Sequence, residues 1–482
     1  MATQTTGSER ARGDLASVDA DALQAFAHGI RGGTVRAGDD GYDAARQVWN
    51  GMIDRRPGLI AQCAGAADVM DAVNFARAHD LLVSVRGGGH NVAGTAVCDD
   101  GLMIDLSPMR GVHVDLAAGT ARAGGGATWG DIDRETQAFG LAAPGGVVST
   151  TGIAGLTLGG GLGWLRRKHG LSCDNLVSVD IVTADGQLRT ASESENADLF
   201  WGIRGGGGNF GIVTSFEFKV HPVGPLVYLC APFYSADDTE AARGLLRWWR
   251  EWAATAPDEV SAEALLWTVP PAPDFPEAAH GKRVVALPAV STGSLDEAEE
   301  LLRPLRELGT PIADLSGPIP WTYLQGAFDP LFPKGQLQYY WKALYLDGLG
   351  DDAIEALIPR ALDRPSESSL VAIWQLGGAM SRVPADATAF GRRDAPFLLS
   401  FDSTWADPAE SQRNVDWTRL IWADMHAFSS GGVYLNFPGF GEEREALVKA
   451  AYGPNYERLV ALKNTYDPTN LFSMNQNIVP TG

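Results

Sequence analysis

Leu81-Leu-Val-Ser-Val-Arg86-Gly-Gly-Gly-His90-Asn91 organises the reading of the whole chain. A short apolar run suited to a buried strand ends at Arg86, three glycines follow, and a histidine and an asparagine close the segment. Consecutive glycines let backbone N–H groups turn toward a bound anion with no Cβ in the way, so Gly87, Gly88 and Gly89 can cradle a diphosphate. Arg86 adds a rigid positive fork at its edge. Walker-type loops carry Lys and Ser/Thr at this point, whereas here His90 comes next. Taken alone, the segment is equally a glycine turn beside an incidental polar histidine.

Three further glycine clusters occupy the same half of the chain: Gly124–Gly126, Gly155 with Gly159–Gly163, and Gly205–Gly208. Glycine costs stability wherever its freedom is not used, so four clusters together point to backbone packed along an extended, phosphate-bearing ligand. Gly206-x-Gly208-x-x-Gly211 matches the dinucleotide fingerprint in form, but it precedes a strand pattern where a nicotinamide site requires a helix. There is no G-x-S-x-G elbow, no HExxH and no Walker loop.

The bulk numbers bound the class. At 482 residues the chain exceeds the usual single-domain range, which predicts two domains sharing one site. The 38 basic and 59 acidic residues give a net charge of −21, which speaks against nucleic acid or an anionic membrane as a partner. No apolar run reaches the roughly 20 residues that cross a bilayer. Residues 1–19 lack the apolar centre of a signal peptide, so a cytoplasmic protein is expected. Cys63, Cys98, Cys173 and Cys230 form no CxxC pair or zinc spacing, the eight histidines are scattered, and no metal is expected.

Along the chain, residues 1–20 read as an unstructured lead and 19–30 as a short helix. Residues 67–79 place Val69, Val73 and Ala76 on one helical face, and strands are predicted at 81–85, 102–106, 112–115, 177–183, 187–190 and 212–220. Thr128 is a helix cap and Gly140 a stop. After Pro222 the glycine clusters thin out. Two amphipathic helices follow, one with Leu245, Trp248, Trp249 and Trp252 and one over 294–308, together with strands at 264–268, 284–287, 339–346, 370–376 and 397–401. Tryptophans on such a helix are read as packing against a sheet. The fold class is α+β.

Arg86 to Asn91, then Pro144-Gly-Gly-Val-Val-Ser-Thr-Thr-Gly-Ile-Ala-Gly-Leu-Thr-Leu-Gly-Gly-Gly161, Gly170-Leu-Ser-Cys-Asp-Asn175 and Phe200-Trp-Gly-Ile-Arg-Gly-Gly-Gly-Gly-Asn-Phe-Gly211 resemble the PCMH-type FAD domain of the vanillyl-alcohol-oxidase superfamily. Val433-Tyr434-Leu435-Asn436 and Tyr466-Asp467-Pro468-Thr469-Asn470-Leu471-Phe472 resemble the C-terminal segment of berberine-bridge-enzyme-like oxidases. The resemblance covers about 45–222 and 430–480. It implies a discontinuous, two-subdomain FAD-binding domain: 1–52 as its N-terminal segment, 53–223 as the PCMH-type body and 431–482 as a returning segment. Residues 224–430 would form a substrate domain of antiparallel sheet covered by helices.

The resemblance also implies site residues. His90 would carry FAD through an 8α-histidyl bond. Arg86, Gly87, Gly88, Gly89 and Asn91, with Ser149, Thr150, Thr151, Ile153, Gly155, Gly160 and Gly161, would hold the diphosphate and ribityl chain. Ile212 and Val213 would lie by the adenine, and Asn436 and Asn475 near the flavin ring or its ribityl chain. Many relatives add a second bond from a cysteine before a proline; Ala143 before Pro144 is taken as that place, so a single bond is expected and Cys173 is the lesser alternative. Tyr434 matches the tyrosine that takes a hydroxyl proton in alcohol-oxidising relatives, or else it is an aromatic wall. A free tyrosine, with a pKa of about 10, needs help to act as a base near neutrality. The strand that carries an acidic helper in sugar-oxidising relatives reads Trp374-Gln375-Leu376-Gly377-Gly378 here, which puts neutral Gln375 in the helper's place. Tyr340 and Lys342 share one strand face, assigned to the substrate, with Tyr339 pointing away.

These expectations describe an oxidase that moves hydride from a C–H bond of a small-molecule alcohol or amine to covalent FAD, with O2 reoxidising it to hydrogen peroxide. The alternatives are a dehydrogenase using another acceptor and a flavin-holding scaffold without catalysis. Monomer and homodimer both stay open.

Overall fold

A computed structural model describes residues 12–437, 439 and 444–481. The helix Ala66–Ala78 forms because Val69, Ala72, Val73 and Ala76 fall on one face at helical spacing, all removed from solvent. It carries the chain from strand Leu59–Gln62 to strand Val83–Arg86, and both pair in parallel with Leu102–Asp105. Thr34–Val35 completes this four-stranded sheet. Gly87 to His90 therefore leave the carboxyl end of a parallel strand, where open sheets form ligand crevices. Residues 12–19, expected to be unstructured, pack here instead: Leu15 and Val18 are buried in one cluster with Phe26, and Asp19 caps the helix Ala20–Gly29. Residues 1–11 of that predicted lead lie outside the described residues.

A second sheet is wholly antiparallel, in the order Val112–Asp115, Thr120–Gly124, Gly211–Lys219, Leu176–Thr183, Leu188–Ser192. The helix Trp129–Gln137 starts where Thr128 and Asp131 cap each other reciprocally. The C-terminal segment packs on this half of the molecule. Tyr452, Leu459, Leu462 and Ile478 share a core with Phe200, Phe210, Phe216 and Phe218, and Leu471 and Phe472 join the core around the helix Ala66–Ala78.

The largest sheet has ten strands. Within it Val260–Thr268, Leu370–Gln375, Phe397–Trp405 and Gln338–Leu346 pair antiparallel in that order. Helices Thr239–Thr255, Leu295–Arg306, Asp351–Leu362 and Ser411–Met425 cover one face. Trp249 is fully buried there, tilted against Phe397, so the tryptophan-bearing helix serves packing. Side chains alternate along a strand, so Leu344, Ile373 and Leu399 meet the helices while Ala343, Trp374 and Leu398 lie on the opposite face. Among the described residues no helix is long and apolar enough to cross a membrane.

One buried ion pair ties the returning segment in place. Lys463 and Asp467 are both wholly buried. The ammonium donates to Asp467 Oδ2 at 2.7 Å and to the carbonyls of Asn209 and Phe472, while Asp467 accepts from the backbone of Leu471 and Phe472. Lys463→Met leaves a buried carboxylate without its cation, and urea unfolding is expected to show a loss of about 3–5 kcal/mol.

Candidate active site

Between the open face of the ten-stranded sheet and the glycine loops lies a cavity of about 310 Å³. Gly87, Gly88, Gly89, His90 and Asn91 line it, as do Thr151, Gly152 and Gly155, Ile212 and Val213, and Tyr434, Asn436 and Asn475. The N-terminal and C-terminal parts of the chain thus meet around one space. Gly155 and Gly208 border it, and a Cβ on either would meet no protein atom within 4 Å, so the room they leave opens onto the cavity. On the same wall Asn475 Oδ1 and Tyr452 OH are buried without a hydrogen-bond partner in the protein. A bare glycine track with unanswered polar atoms fits an extended dinucleotide cofactor.

His90 stacks on Trp49 with ring centroids 5.0 Å apart, and Trp49 stacks in turn on Tyr339 at 3.7 Å. Its Nε2 lies 3.1 Å from Thr150 Oγ1 and its Nδ1 3.5 Å from Thr151 Oγ1. Burial, reinforced by the Lys334 cation, pulls the imidazole down to about 3, so the ring is neutral at physiological pH and keeps a nucleophilic lone pair.

Several expected cofactor contacts go elsewhere. Arg86 is turned into the protein: its guanidinium grips Asp105 in two places, at 2.9 and 2.5 Å, and also reaches the carbonyls of Ala45 and Gln47. The positive fork is thus consumed by the neighbouring strand. Ser149 donates from both backbone and hydroxyl to Asp329. Ile153 is fully buried in the core, and Gly160 and Gly161 lie against Phe390 and Ser172, off the cavity wall. Ala143 is a core residue, and the cavity wall upstream of Thr151 is formed by Gly146, Val147 and Val148.

Tyr434 is buried on the cavity wall, and its oxygen accepts from Leu162 N–H at 3.1 Å and from Asn436 Nδ2 at 2.9 Å. Asn436 is itself held by the Leu156 carbonyl. Burial pushes the phenol up to about 12, with the two donors pulling the other way. The group is therefore protonated near neutrality. With both lone-pair directions occupied, it is left to act as a donor.

The sheet face corrects the assignment of the strand Gln338–Leu346. Its odd members look toward the cofactor side: Trp341 lines the cavity and Tyr339 stacks on Trp49. The even members look toward the helix Ser411–Met425, where the Arg419 guanidinium contacts Tyr340 and the Lys342 ammonium sits 3.9 Å from the Trp422 ring centroid. Gln375 also points to the helix side, accepting from Ala262 N–H and donating to the Ala253 carbonyl. Tyr340, Lys342 and Gln375 are thus excluded from the cavity by the two-residue period of their strands. In their place stand Glu263, Asp402, Trp341 and Trp374. The sequence places strand boundaries at Ala264 and Phe401; the strands run Val260–Thr268 and Phe397–Trp405, so each carboxylate lies one residue beyond the expected end. Burial pushes Glu263 up to about 7 against the pull of Arg166, and Asp402 up to about 8.

The comparisons agree with this architecture. A family model described as FAD binding domain matches residues 57–192, and one described as berberine and berberine like matches residues 433–479. An uncharacterized FAD-linked oxidoreductase of Bacillus subtilis is 32% identical over 463 residues, which span 94% of this chain and 97% of that protein. (R)-6-hydroxynicotine oxidase of Paenarthrobacter nicotinovorans is 31% identical over 480 residues, spanning 94% and 98%. The crystal structure of 6-hydroxy-D-nicotine oxidase from Arthrobacter nicotinovorans matches with a TM-score of 0.81 at 30% identity, covering 93% of this chain and 98% of that one. With a PCMH-type FAD-binding fold and relatives of this length and identity, the chain belongs to the berberine-bridge-enzyme-like FAD-linked oxidoreductases of the vanillyl-alcohol-oxidase superfamily.

Proposed function

We propose that the protein is an FAD-dependent oxidase that removes hydride from a C–H bond beside an oxygen or nitrogen of a small organic substrate. His90 would hold FAD by a single 8α-histidyl bond, and O2 would take the electrons as hydrogen peroxide. The observation that carries the reading is one cavity with a neutral, stacked imidazole on one wall and a doubly hydrogen-bonded tyrosine on another. FAD, when bound, supplies the hydride acceptor and the reaction with oxygen. Residues 53–223 and 431–482 would make up the FAD-binding part, with 1–52 leading into it, and 224–430 the substrate part.

The chain's own residues have distinct tasks. Gly87 to Gly89, Gly152 and Gly155 offer backbone to the cofactor, and Asn436 and Asn475 offer polar side chains. Thr150 and Thr151 orient the His90 ring. Tyr434 donates to the substrate heteroatom; if that atom must lose a proton, its phenolate is the form that Leu162 N–H and Asn436 stabilise. The single bond is supported over a second one from Cys173 by the cavity lining, which includes none of the four cysteines. Burial also drives the Cys173 thiol well above its usual range. Four free, buried cysteines suit a reducing, cytoplasmic setting.

The acid-precipitated protein is expected to stay yellow, His90→Ala to release its flavin on denaturation, and Cys173→Ala to retain it. Flavin washing out of the unmodified protein would overturn the covalent reading. Gly155→Leu is compatible with its helix but fills the ligand space, so it should keep its circular dichroism and lose its flavin absorbance. Tyr434→Phe should retain flavin. Rapid-mixing measurements of flavin reduction should slow by about 10²–10⁴ with an alcohol, as for loss of a positioned acid–base group, and by less than about tenfold with an amine. Peroxide formed in step with substrate consumed, without added dye, checks the oxidase assignment.

A further inference from the structure

We propose that the sheet face of the cavity is built to receive a cationic substrate, an amine protonated in solution and carried on an apolar body, with Asp402 as the group that takes up its ammonium proton. The inference rests on the oxidoreductase reading for the use of the site, but its basis is local.

The first basis is a charge census. Glu263 and Asp402 border the cavity, and among the described residues no lysine or arginine does. The second is unmet hydrogen bonding. Both carboxylic residues are more than nine-tenths buried, at 4% and 6% exposure, and Glu263 Oε1 and Asp402 Oδ1 have no hydrogen-bond partner in the protein. Buried carboxyl oxygens left open onto a cavity are costly unless a ligand answers them. The third is the wall around them. Trp341, Trp374 and Phe437 present aromatic surface, which suits both an apolar body and a nearby cation.

The two carboxyls are not equivalent. Arg166 stands behind Glu263, with Nη1 3.8 Å from Oε1, and is fixed by the carbonyls of Gln375, Gly163 and Ala262. Asp402 has Ser400 beside it and feels Glu263 as a like charge, with no cation to answer it. Tyr434 and His90 face the pair from the other walls of the cavity, and Lys342 and Gln375 project from the far side of the sheet. Asp402 is accordingly the better proton acceptor, and burial places its titration near 8. The step balances simply: an N–H bond of the ammonium breaks, an O–H bond forms on Asp402, and nothing is oxidised or reduced. The nitrogen regains the lone pair without which its neighbouring carbon cannot release hydride.

Calorimetric titration of the holoenzyme with 4-phenylbutylamine and with 4-phenylbutan-1-ol, which share one body and differ in head group, tests the proposal. The amine is expected to bind at least about tenfold more tightly at about pH 8.5, where the carboxyls are ionised. The preference should shrink to less than about threefold near pH 6, where both are protonated and neutral. Asp402→Asn should abolish the preference at the higher pH while leaving the alcohol's affinity within about threefold, and Glu263→Gln should reduce it. An alcohol that binds as well as the amine at about pH 8.5, or a preference that survives Asp402→Asn, overturns the proposal. Should Asp402→Asn not fold, the unmodified protein decides: a preference that fails to grow from pH 6 to 8.5 overturns it. Flavin absorbance in the same samples separates the two readings. A flavin-free protein that prefers the amine overturns the oxidase assignment alone, and a flavoprotein indifferent to head-group charge overturns this one alone.

Discussion

Two backbones touch where Gly88 meets Gly152, and the site depends on that contact. A Cβ on Gly88 would stand 2.4 Å from the Gly152 backbone, and one on Gly152 would stand 2.3 Å from Gly88 N, so neither position admits a side chain. The contact locks the loop after a parallel strand to the loop before the helix Ile153–Leu158. It is also what brings Thr150 and Thr151 against His90. On the other side, Gly152 bridges to Thr128 and Ile153 N–H reaches the Ala127 carbonyl, so the helix Trp129–Gln137 is fixed by the same junction. A larger residue at either glycine would part the loops, and the imidazole would lose its orientation before any ligand was involved.

The opposite wall obeys a different constraint, the two-residue period of a sheet covered on both sides. The helix-facing side carries the ordinary burden of stability, a large core around Trp249, Leu302, Leu357 and Ile421. The cavity-facing side is free to carry groups that a core would reject, including two carboxyls and unpartnered indole and phenol groups. Asn50 joins the two halves across the seam: its side-chain amide donates to the Val92 and Tyr339 carbonyls and its oxygen accepts from Tyr339 N–H. Trp49, next to it, donates to the Phe332 carbonyl. The ring stack on His90 is thereby held by hydrogen bonds to a segment almost three hundred residues away.

Much of this was legible in the sequence. The glycine clusters, the helix over Val69 to Ala76 and the capped helix after Thr128 speak through local chemistry, and local chemistry is what a sequence displays. What stayed hidden depended on partners far along the chain. Arg86 reads as a ligand contact until Asp105 comes into register beside it on the next strand. Tyr340 and Lys342 read from the sequence as the substrate-facing pair but lie on the helix side, because nearly every residue from Gln338 to Leu346 is buried and hydropathy shows no alternation to choose between the faces. Trp341 is the partly exposed member, since its side opens onto the cavity. Glu263 and Asp402 are hidden in the sequence because a carboxylate at the edge of an apolar run looks like the end of a strand. Here the strand continues, and its carboxylic residue faces the cavity.

The walls of the cavity are contributed in turn by residues as far apart as Trp49, His90, Ile212, Glu263, Asp402, Tyr434 and Asn475. Such a site has a schedule. A nascent chain offers only a half-open trough until Tyr434, Asn436 and Asn475 have been made, and its first two sheets wait for Tyr452, Leu459, Leu471 and Phe472 to complete their cores. The pocket and the cores beside it are therefore completed by the same last stretch of chain.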